Sequence, residues 1–236
     1  MAPNIRRFRY TRNDLSSVPN AITATTDYLT TLLAGDSANH TVGIMMTDTY
    51  SAGSTFIKGV KEWQYANDAQ QATLKKATRL TIYYSNVSFV GPDALAERLK
   101  SFGTLQTPTG GTVPYADKVF VSQVVPNYAT DANEVVNEYR RLIAAAGASP
   151  TFTSLEGFLA GRLFVEGLKA SKTPITPDSM VTAFEGLGTL SLALGASASF
   201  SATNHQYSQS VWGTGIQPDG SFSNTYFFSN NTLQLF

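Results

Sequence analysis

Between Leu80 and Pro126, two β-rich apolar segments, LTIYYSNVSFVG and KVFVSQVVP, lie on either side of a helix whose start is marked by Gly91-Pro92-Asp93. Short runs rich in Val, Ile, Tyr and Phe and bounded by turn residues read as buried strands. Proline at a first helical position presets the backbone for a helix. Strand, helix and strand in that order is the repeating unit of a parallel sheet, because parallel neighbours need a crossover long enough to hold a helix. With 42% hydrophobic residues, the 236-residue chain has enough apolar side chains to cover such a sheet.

The alternation continues on both sides. The period over 15–33 places Val18, Ile22, Thr25, Leu29 and Leu32 on one face and predicts a helix over 17–33, with Ser16 or Ser17 as N-cap. A turn at Gly35-Asp36-Ser37-Ala38-Asn39 leads into HTVGIMMTDTY, a buried strand ending in polar residues. A second helix is predicted over 52–63, the polar segment 65–79 is helical in part, and a helix over 93–100 follows Gly91-Pro92. TLQTPTGGTVPYAD, with two prolines, paired glycines and four threonines, reads as an exposed loop. After Asp131 come two helices. Val135, Val136, Tyr139, Leu142 and Ile143 form the stripe of one, and Leu155, Phe158, Leu159, Leu163 and Leu168 that of the other. A short helix over 177–185 has Thr176 as N-cap and Pro177 at its first position. From Ala196 to Phe228 the pattern alternates as β, with a hairpin turn at Gln217-Pro218-Asp219-Gly220. The fold class is therefore α/β with a mostly parallel sheet, closed by an antiparallel C-terminal hairpin. Ligands in such sheets lie beyond the C-terminal strand ends, here Thr47-Asp48-Thr49-Tyr50 and Gly91-Pro92-Asp93.

Composition removes several functions. Only 14% of residues are charged, and 17 basic side chains balance 17 acidic ones, so no field draws the chain to nucleic acid or to an anionic membrane. Arg6, Arg7, Arg9 and Arg12 read as a solvated segment near one end. The absence of cysteine rules out disulfides, thiolate chemistry and sulfur-bound zinc. The low charge resembles that of exported bacterial proteins, although MAPNIRRFRY lacks the apolar region of a signal peptide and no run reaches the roughly 18 apolar residues of a membrane span. Gly35-Asp36-Ser37 with His40 has the look of a lipase opening but follows a helix where a strand is needed. Gly195-Ala196-Ser197-Ala198-Ser199 lacks the last glycine of a nucleophile elbow. No phosphate-binding glycine motif or histidine pair at metal spacing occurs, and no cofactor is expected. His40 and His205 read as structural, and Trp63 and Trp212 as packing residues. Asp48 and Asp93, both at predicted strand ends, could serve as an acid-base pair or as caps and dipole partners of the following helices.

The chain resembles the type 1 periplasmic solute-binding proteins of ABC transporters, the leucine/isoleucine/valine-binding class. The likeness rests on Asn86-Val87-Ser88-Phe89-Val90-Gly91 with Ala94-Leu95-Ala96, and on Val121-Ser122-Gln123-Val124-Val125-Pro126. Further matches in order are Ser154-Leu155-Glu156-Gly157-Phe158, Asn204-His205-Gln206 and Pro218-Asp219-Gly220-Ser221-Phe222. Thr49-Tyr50 with Phe56-Ile57-Lys58 resembles the family's Gly-Thr-Tyr strand end and Phe-Ile-Lys helix, and Arg12-Asn13 resembles a mid-chain Arg-Asn of its second lobe.

That resemblance implies two Rossmann-like lobes joined by hinge strands. Residues 1–120 would form lobe two, 121–128 a hinge strand with Ser122, Gln123 and Pro126, 129–192 the helical part of lobe one, and 193–236 a β segment returning to lobe two. The N-terminal part of lobe one is expected to be missing, leaving that lobe incomplete and the chain prone to self-association. Tyr50 and Asp93 match the family's aromatic and acidic ligand contacts, and Thr49, Ser88 and Pro92 complete the expected ligand-binding set. Asp93 is one methylene shorter than the family's usual Glu. The implied role is non-enzymatic: capture of a small polar solute, an amino acid or a related compound, outside the cytoplasm, and delivery to a permease through which alone the protein meets the membrane. A ligand-sensing domain on the same fold is the alternative, and an enzyme using Asp48 and Asp93 a third reading.

Overall fold

The structure, a computed structural model, describes residues 5–11, 14–195 and 199–236; residues 1–4, Arg12, Asn13 and 196–198 lie outside the described residues. The chain forms two compact units: Met1–Val121 with Gly215–Ser223, and Ser122–Thr214 with Asn224–Phe236.

The first unit starts with a 3-10 turn, Leu15–Ser17, capped by Asp14 Oδ1, which accepts from Ser16 N at 3.0 Å. Helix α1 (Val18–Ala34) follows. Ser17 stands at its N-cap, but the hydroxyl donates to Asp14 O at 2.7 Å instead of capping the helix. The buried stripe is Val18, Ala21, Thr25, Leu29 and Leu33, turned by about one residue from the expected Ile22 and Leu32. Strand β1 (His40–Met45), helix α2 (Tyr50–Tyr65), short helices α3 (Ala69–Leu74) and α4 (Lys76–Arg79), and strand β2 (Leu80–Val87) come next. Arg79 closes the C-terminal end of α1, donating to Leu33 O at 3.2 Å, Asp36 O at 2.7 Å and Ala38 O at 3.0 Å. The Gly-Asp-Ser segment is thus a helix-ending turn, with Asp36 Oδ1 also accepting from Ala38 N at 2.8 Å and lying 3.0 Å from His40 Nε2.

β1 and β2 pair in parallel, His40 opposite Leu80 through Met45 opposite Ser85. On β2, Leu80, Ile82, Tyr84 and Asn86 alternate inward and are all buried. Beyond helix α5 (Pro92–Ser101) the segment read as a loop is a small antiparallel hairpin, β3 (Thr104–Gln106) with β4 (Thr112–Pro114). Its glycines and one proline gather at the 107–111 tip, where Gly110 N donates to Thr107 O at 3.0 Å, and Thr104 and Thr112 favour the strands on either side. Strand β5 (Val119–Gln123) completes the apolar centre, in which Ile57, Val60, Ile82, Tyr84, Leu95, Leu99 and Val121 are buried.

The second unit carries three helices. α6 (Glu134–Ala145) is capped by Asn133 Oδ1, accepting from Val135 N at 2.9 Å. α7 (Phe152–Ala170) and α8 (Pro177–Gly186) start with reciprocal capping boxes, Thr151 with Ser154 and Thr176 with Ser179. Strands β6 (Val211–Ile216), β7 (Phe222–Ser229) and β8 (Thr232–Leu235) end the chain. In hydrogen-bonding order the strands run β1-β2-β5-β6-β7-β8, and the chain crosses from one unit to the other within β5, β6 and β7. β7 and β8 form an antiparallel hairpin through Asn230-Asn231, both at positive φ, as a two-residue primed turn requires.

One feature of the last third differs from the sequence reading. Between Ser199 and Ser210 the described chain holds only an isolated bridge, Ser201 to Asn204, because Phe200 and Tyr207 turn into a cluster with Leu163, Leu190, Leu192 and Leu194 instead of alternating along a strand. Of 193–236, only Gly215–Ser223 joins the first unit. There the Gln217–Gly220 turn comes up to α5, so that a Cβ on Gly220 would lie 3.1 Å from Glu97 Oε1. The remainder stays with the helices on which Phe200 and Tyr207 pack.

Candidate ligand-binding site

The site builds up from the parallel pairing of β1 and β2. Their C-terminal ends coincide at Met45 and Ser85, and Met46 N extends the pairing to Ser85 O at 2.7 Å. Each strand then turns into a helix. Tyr50 is the first residue of α2 rather than a strand-end residue, since the helix starts earlier than apolar period alone indicated. From β2 the chain passes through a 3-10 turn, Ser88–Val90, and Gly91 before α5 begins at Pro92. Gly91 has φ +80, a conformation that strains any residue with a Cβ, and a Cβ there would lie 3.3 Å from Tyr50 Cδ1. The Tyr50 ring therefore rests against the Gly91 backbone, bringing the starts of α2 and α5 together.

Around this contact the expected residues take distinct places. Tyr50 keeps 42% of its surface exposed and neighbouring Phe89 keeps 62%, so two aromatic side chains stay open where the strands end. Asp93 is half-buried in the first turn of α5, where the helix dipole stabilises a carboxylate. Pro92 is buried beneath it. Ser88 is half-buried and its carbonyl accepts from Gly91 N at 3.4 Å. Thr49 sits at the N-cap of α2, where its carbonyl accepts from Gly53 N at 2.8 Å and its hydroxyl makes no cap bond. The structure thus groups Thr49, Tyr50, Ser88, Pro92 and Asp93 in one unit.

Asp48 lies behind this surface, not on it. It is 5% exposed, and its carboxylate accepts from Asn86 Nδ2, itself buried on β2. A Cβ on Gly53 would come within 2.6 Å of Asp48 Oδ1, so α2 closes directly over the carboxylate. Burial pushes its pKa up to about 6, against the lowering effect of the Asn86 hydrogen bond. In the sequence Asn86 stands within the Asn86–Gly91 motif. Its inward position in the alternation Leu80, Ile82, Tyr84, Asn86 was the signal, because a buried polar residue needs a partner.

Of the residues expected at the hinge, Ser122 and Gln123 end β5 in the second unit and Pro126 is buried just beyond. Gln123 is fully buried and donates from Nε2 to Thr214 Oγ1 on β6 at 3.2 Å. The second unit also has a cleft of about 480 Å³ lined by Asp131, Asn133, Leu190 and Leu192. Its polar groups are partly committed to local structure, with Asp131 Oδ1 accepting from Asn133 N at 2.8 Å. Among the described residues, no group of three or more His, Cys, Asp or Glu side chains converges as a metal site would require.

The sequence profile of the periplasmic binding proteins matches residues 73–221, more than half of the chain; the match includes the 88–93 turn and begins after Thr49 and Tyr50. The chain belongs to the periplasmic binding protein family. Solved structures of such proteins share its fold. A possible leucine/isoleucine/valine-binding protein from Rhodopirellula baltica SH 1 superposes with a TM-score of 0.65 at 25% identity, over 92% of this chain and 48% of that one. An ABC transporter substrate-binding protein from Aeropyrum pernix gives a TM-score of 0.57 at 11% identity, over 92% of this chain and 49% of that one. The type 1 periplasmic binding fold, with its α/β units and mostly parallel sheet, is thus present in a chain that spans about half the length of these relatives. No curated protein matches the sequence.

Proposed function

We propose that this periplasmic binding protein captures a small polar solute, an amino acid or a close relative of one, outside the cytoplasm and hands it to the permease of an ABC transporter. The observation that carries the reading is the Tyr50 ring packed on Gly91, with Asp93 in the adjoining helix turn, in a chain whose family binds solutes without transforming them. A carboxylate at a helix start offers a charge-assisted hydrogen bond to an ammonium group, worth about 1.5–3 kcal/mol. An aromatic face adds about 0.5–2 kcal/mol of cation–π attraction once water is excluded. Ser122, Gln123 and Pro126 serve as hinge, and closure about them favours the bound state because the solute stabilises the closed form. The membrane is met only through the permease, and among the described residues no helix is long and apolar enough to cross it. The exposed apolar side chains of α6, α7 and α8 support self-association of the chain.

Isothermal titration with branched-chain and other amino acids tests the reading. Asp93→Asn is expected to lower affinity for an amino acid about 10- to 100-fold, in line with the loss of one charge-assisted bond. Affinity for the N-acetylated form, which lacks the ammonium, should be weak and unaffected by the substitution. Equal binding of free and acetylated amino acids by the unaltered chain would overturn the assignment of Asp93.

A further inference from the structure

We propose that Asp48 is a positioning residue of this site: as a carboxylate it grips Asn86 and thereby holds the Thr49-Tyr50 start of α2 in register with the 88–93 turn. The inference rests on the reading of Tyr50 and Asp93 as solute contacts, and it adds regulation by pH to that site.

The geometry is that of a latch. Asp48 lies just beyond β1 and Asn86 near the end of β2, and each is covalently close to one half of the surface: Asp48 precedes Thr49 and Tyr50, Asn86 precedes Val87 and Ser88. Both side chains are buried, at 5% and 3% exposure, and hydrogen-bonded to each other. Asn86 is oriented in turn, its Oδ1 accepting from Val87 N at 2.9 Å, which leaves Nδ2 to face the carboxylate. Gly53 provides the room over Asp48 that any larger residue would fill.

An uncompensated buried carboxylate disfavours folding and persists when its position matters. No ion pair to Asp48 exists among the described residues. The titratable and charged groups on the neighbouring elements are His40 on β1, engaged with Asp36; Tyr50, Lys58, Lys61, Glu62 and Tyr65 on α2; Tyr83 and Tyr84 on β2; and Asp93, Glu97, Arg98 and Lys100 on α5. Lys58 is engaged with Glu62, Lys61 with Asp117 O, Lys100 with Glu97, and Arg98 Nε with Ser54 Oγ. Without a cation to hold it ionised, the carboxyl gains its proton near pH 6, weakening the bond to Asn86 and adding an O–H donor to a pocket built around an acceptor. The latch is therefore firm at neutral pH and slack in mild acid.

The test is an amide NMR titration of the whole chain without solute, following Gly53, Val87 and Gly91 from pH 4.5 to 8. A shared transition centred near pH 6 is expected, absent in Asp48→Asn and displaced upward in Asn86→Ala, which removes the bond that favours the ionised form. Persistence of the transition in Asp48→Asn, or a midpoint near that of an ordinary carboxylate, would overturn the proposal. Should Asp48→Asn not fold, the displacement in Asn86→Ala decides alone, and an unmoved midpoint counts against the latch. Because solute is absent, a failed binding assay and a failed latch are read separately. Where solute binding is measured, the wild-type affinity is expected to fall below pH 6 and that of Asp48→Asn to stay level.

Discussion

The two units use amphipathic helices to different ends. In the first, α2 and α5 bring Ile57, Val60, Leu95, Ala96 and Leu99 to nearly complete burial. In the second, α6, α7 and α8 bury Val136, Tyr139, Phe152, Leu155 and Leu159 but leave Leu142 40%, Phe164 53%, Val165 43% and Val181 47% exposed. Helical period thus tells which face of a helix is apolar, while the coverage of that face depends on what else the protein brings to it. The sharpest way to break the comparison is a pair of truncations. Leu95→Ala should cost about 2–5 kcal/mol, transfer and cavity together, and Leu142→Ala less than about 1 kcal/mol. Urea midpoints measure both, and equal losses would mean that Leu142 is covered in solution.

The first unit also contains buried ionisable groups, Lys61 and Asp48, whose charged forms burial penalises. Lys61 is 2% exposed, donates to Asp117 O at 2.7 Å and has its pKa lowered to about 8 by burial. A lysine pKa below its unfolded value means that stability is greatest above the unfolded pKa and is lost as pH falls through about 8, so at pH 7 the ammonium costs stability. Lys61→Met should therefore raise stability at pH 7 by about 2 kcal/mol, after allowing for the unpaired Asp117 carbonyl, with the gain shrinking toward pH 10. Asp48 has the opposite sign. Its raised pKa gives stability that is present below the unfolded value and lost as pH rises through about 6. Asp48→Asn should consequently stabilise the chain at pH 7 by about 1–2 kcal/mol and change little at pH 4. Thermal melts at the two pH values check it, and a neutral-pH loss of stability would show that the charged bond to Asn86 outweighs burial.

Caps come next in size, and they mark where sequence and structure agree best. Thr176 and Pro177 mark the start of α8 because the cap is a local bond, a hydroxyl oxygen accepting from a backbone N–H three residues on. Thr151→Ala should likewise cost about 1 kcal/mol by melting, from the loss of the Ser154 N bond at 3.0 Å. Ser17 has the right type for an N-cap, yet its hydroxyl donates to the nearby Asp14 carbonyl instead. Features that depend on tertiary context are less legible. The 199–210 segment alternated like a strand because Phe200 and Tyr207 are needed by a cluster on α7 and α8. At the candidate site, Tyr50 and Asp93 stand in the sequence beside the strand ends, while the Asp48–Asn86 bond is not legible there, since it joins a residue just beyond β1 to one on β2, whose mutual register only folding sets.

The smallest effect on stability tests the second half of the comparison. Phe164 and Val165 lie on the open side of α7, where replacing Phe164 by Ser removes little that is buried in one chain and should shift the melting midpoint by no more than about 0.5 kcal/mol equivalent. If a second copy covers this face, the same substitution should lower the weight-average mass at high protein concentration in sedimentation equilibrium. The position of the cut matters. Phe158 on the same helix stacks on Tyr139, with ring centroids 5.6 Å apart, so its replacement would perturb the fold and obscure any change in association. Phe164→Ser with unchanged mass and unchanged stability would mean that the exposed stripe meets neither its own unit nor another copy. The difference between the units would then lie in coverage supplied from outside the chain.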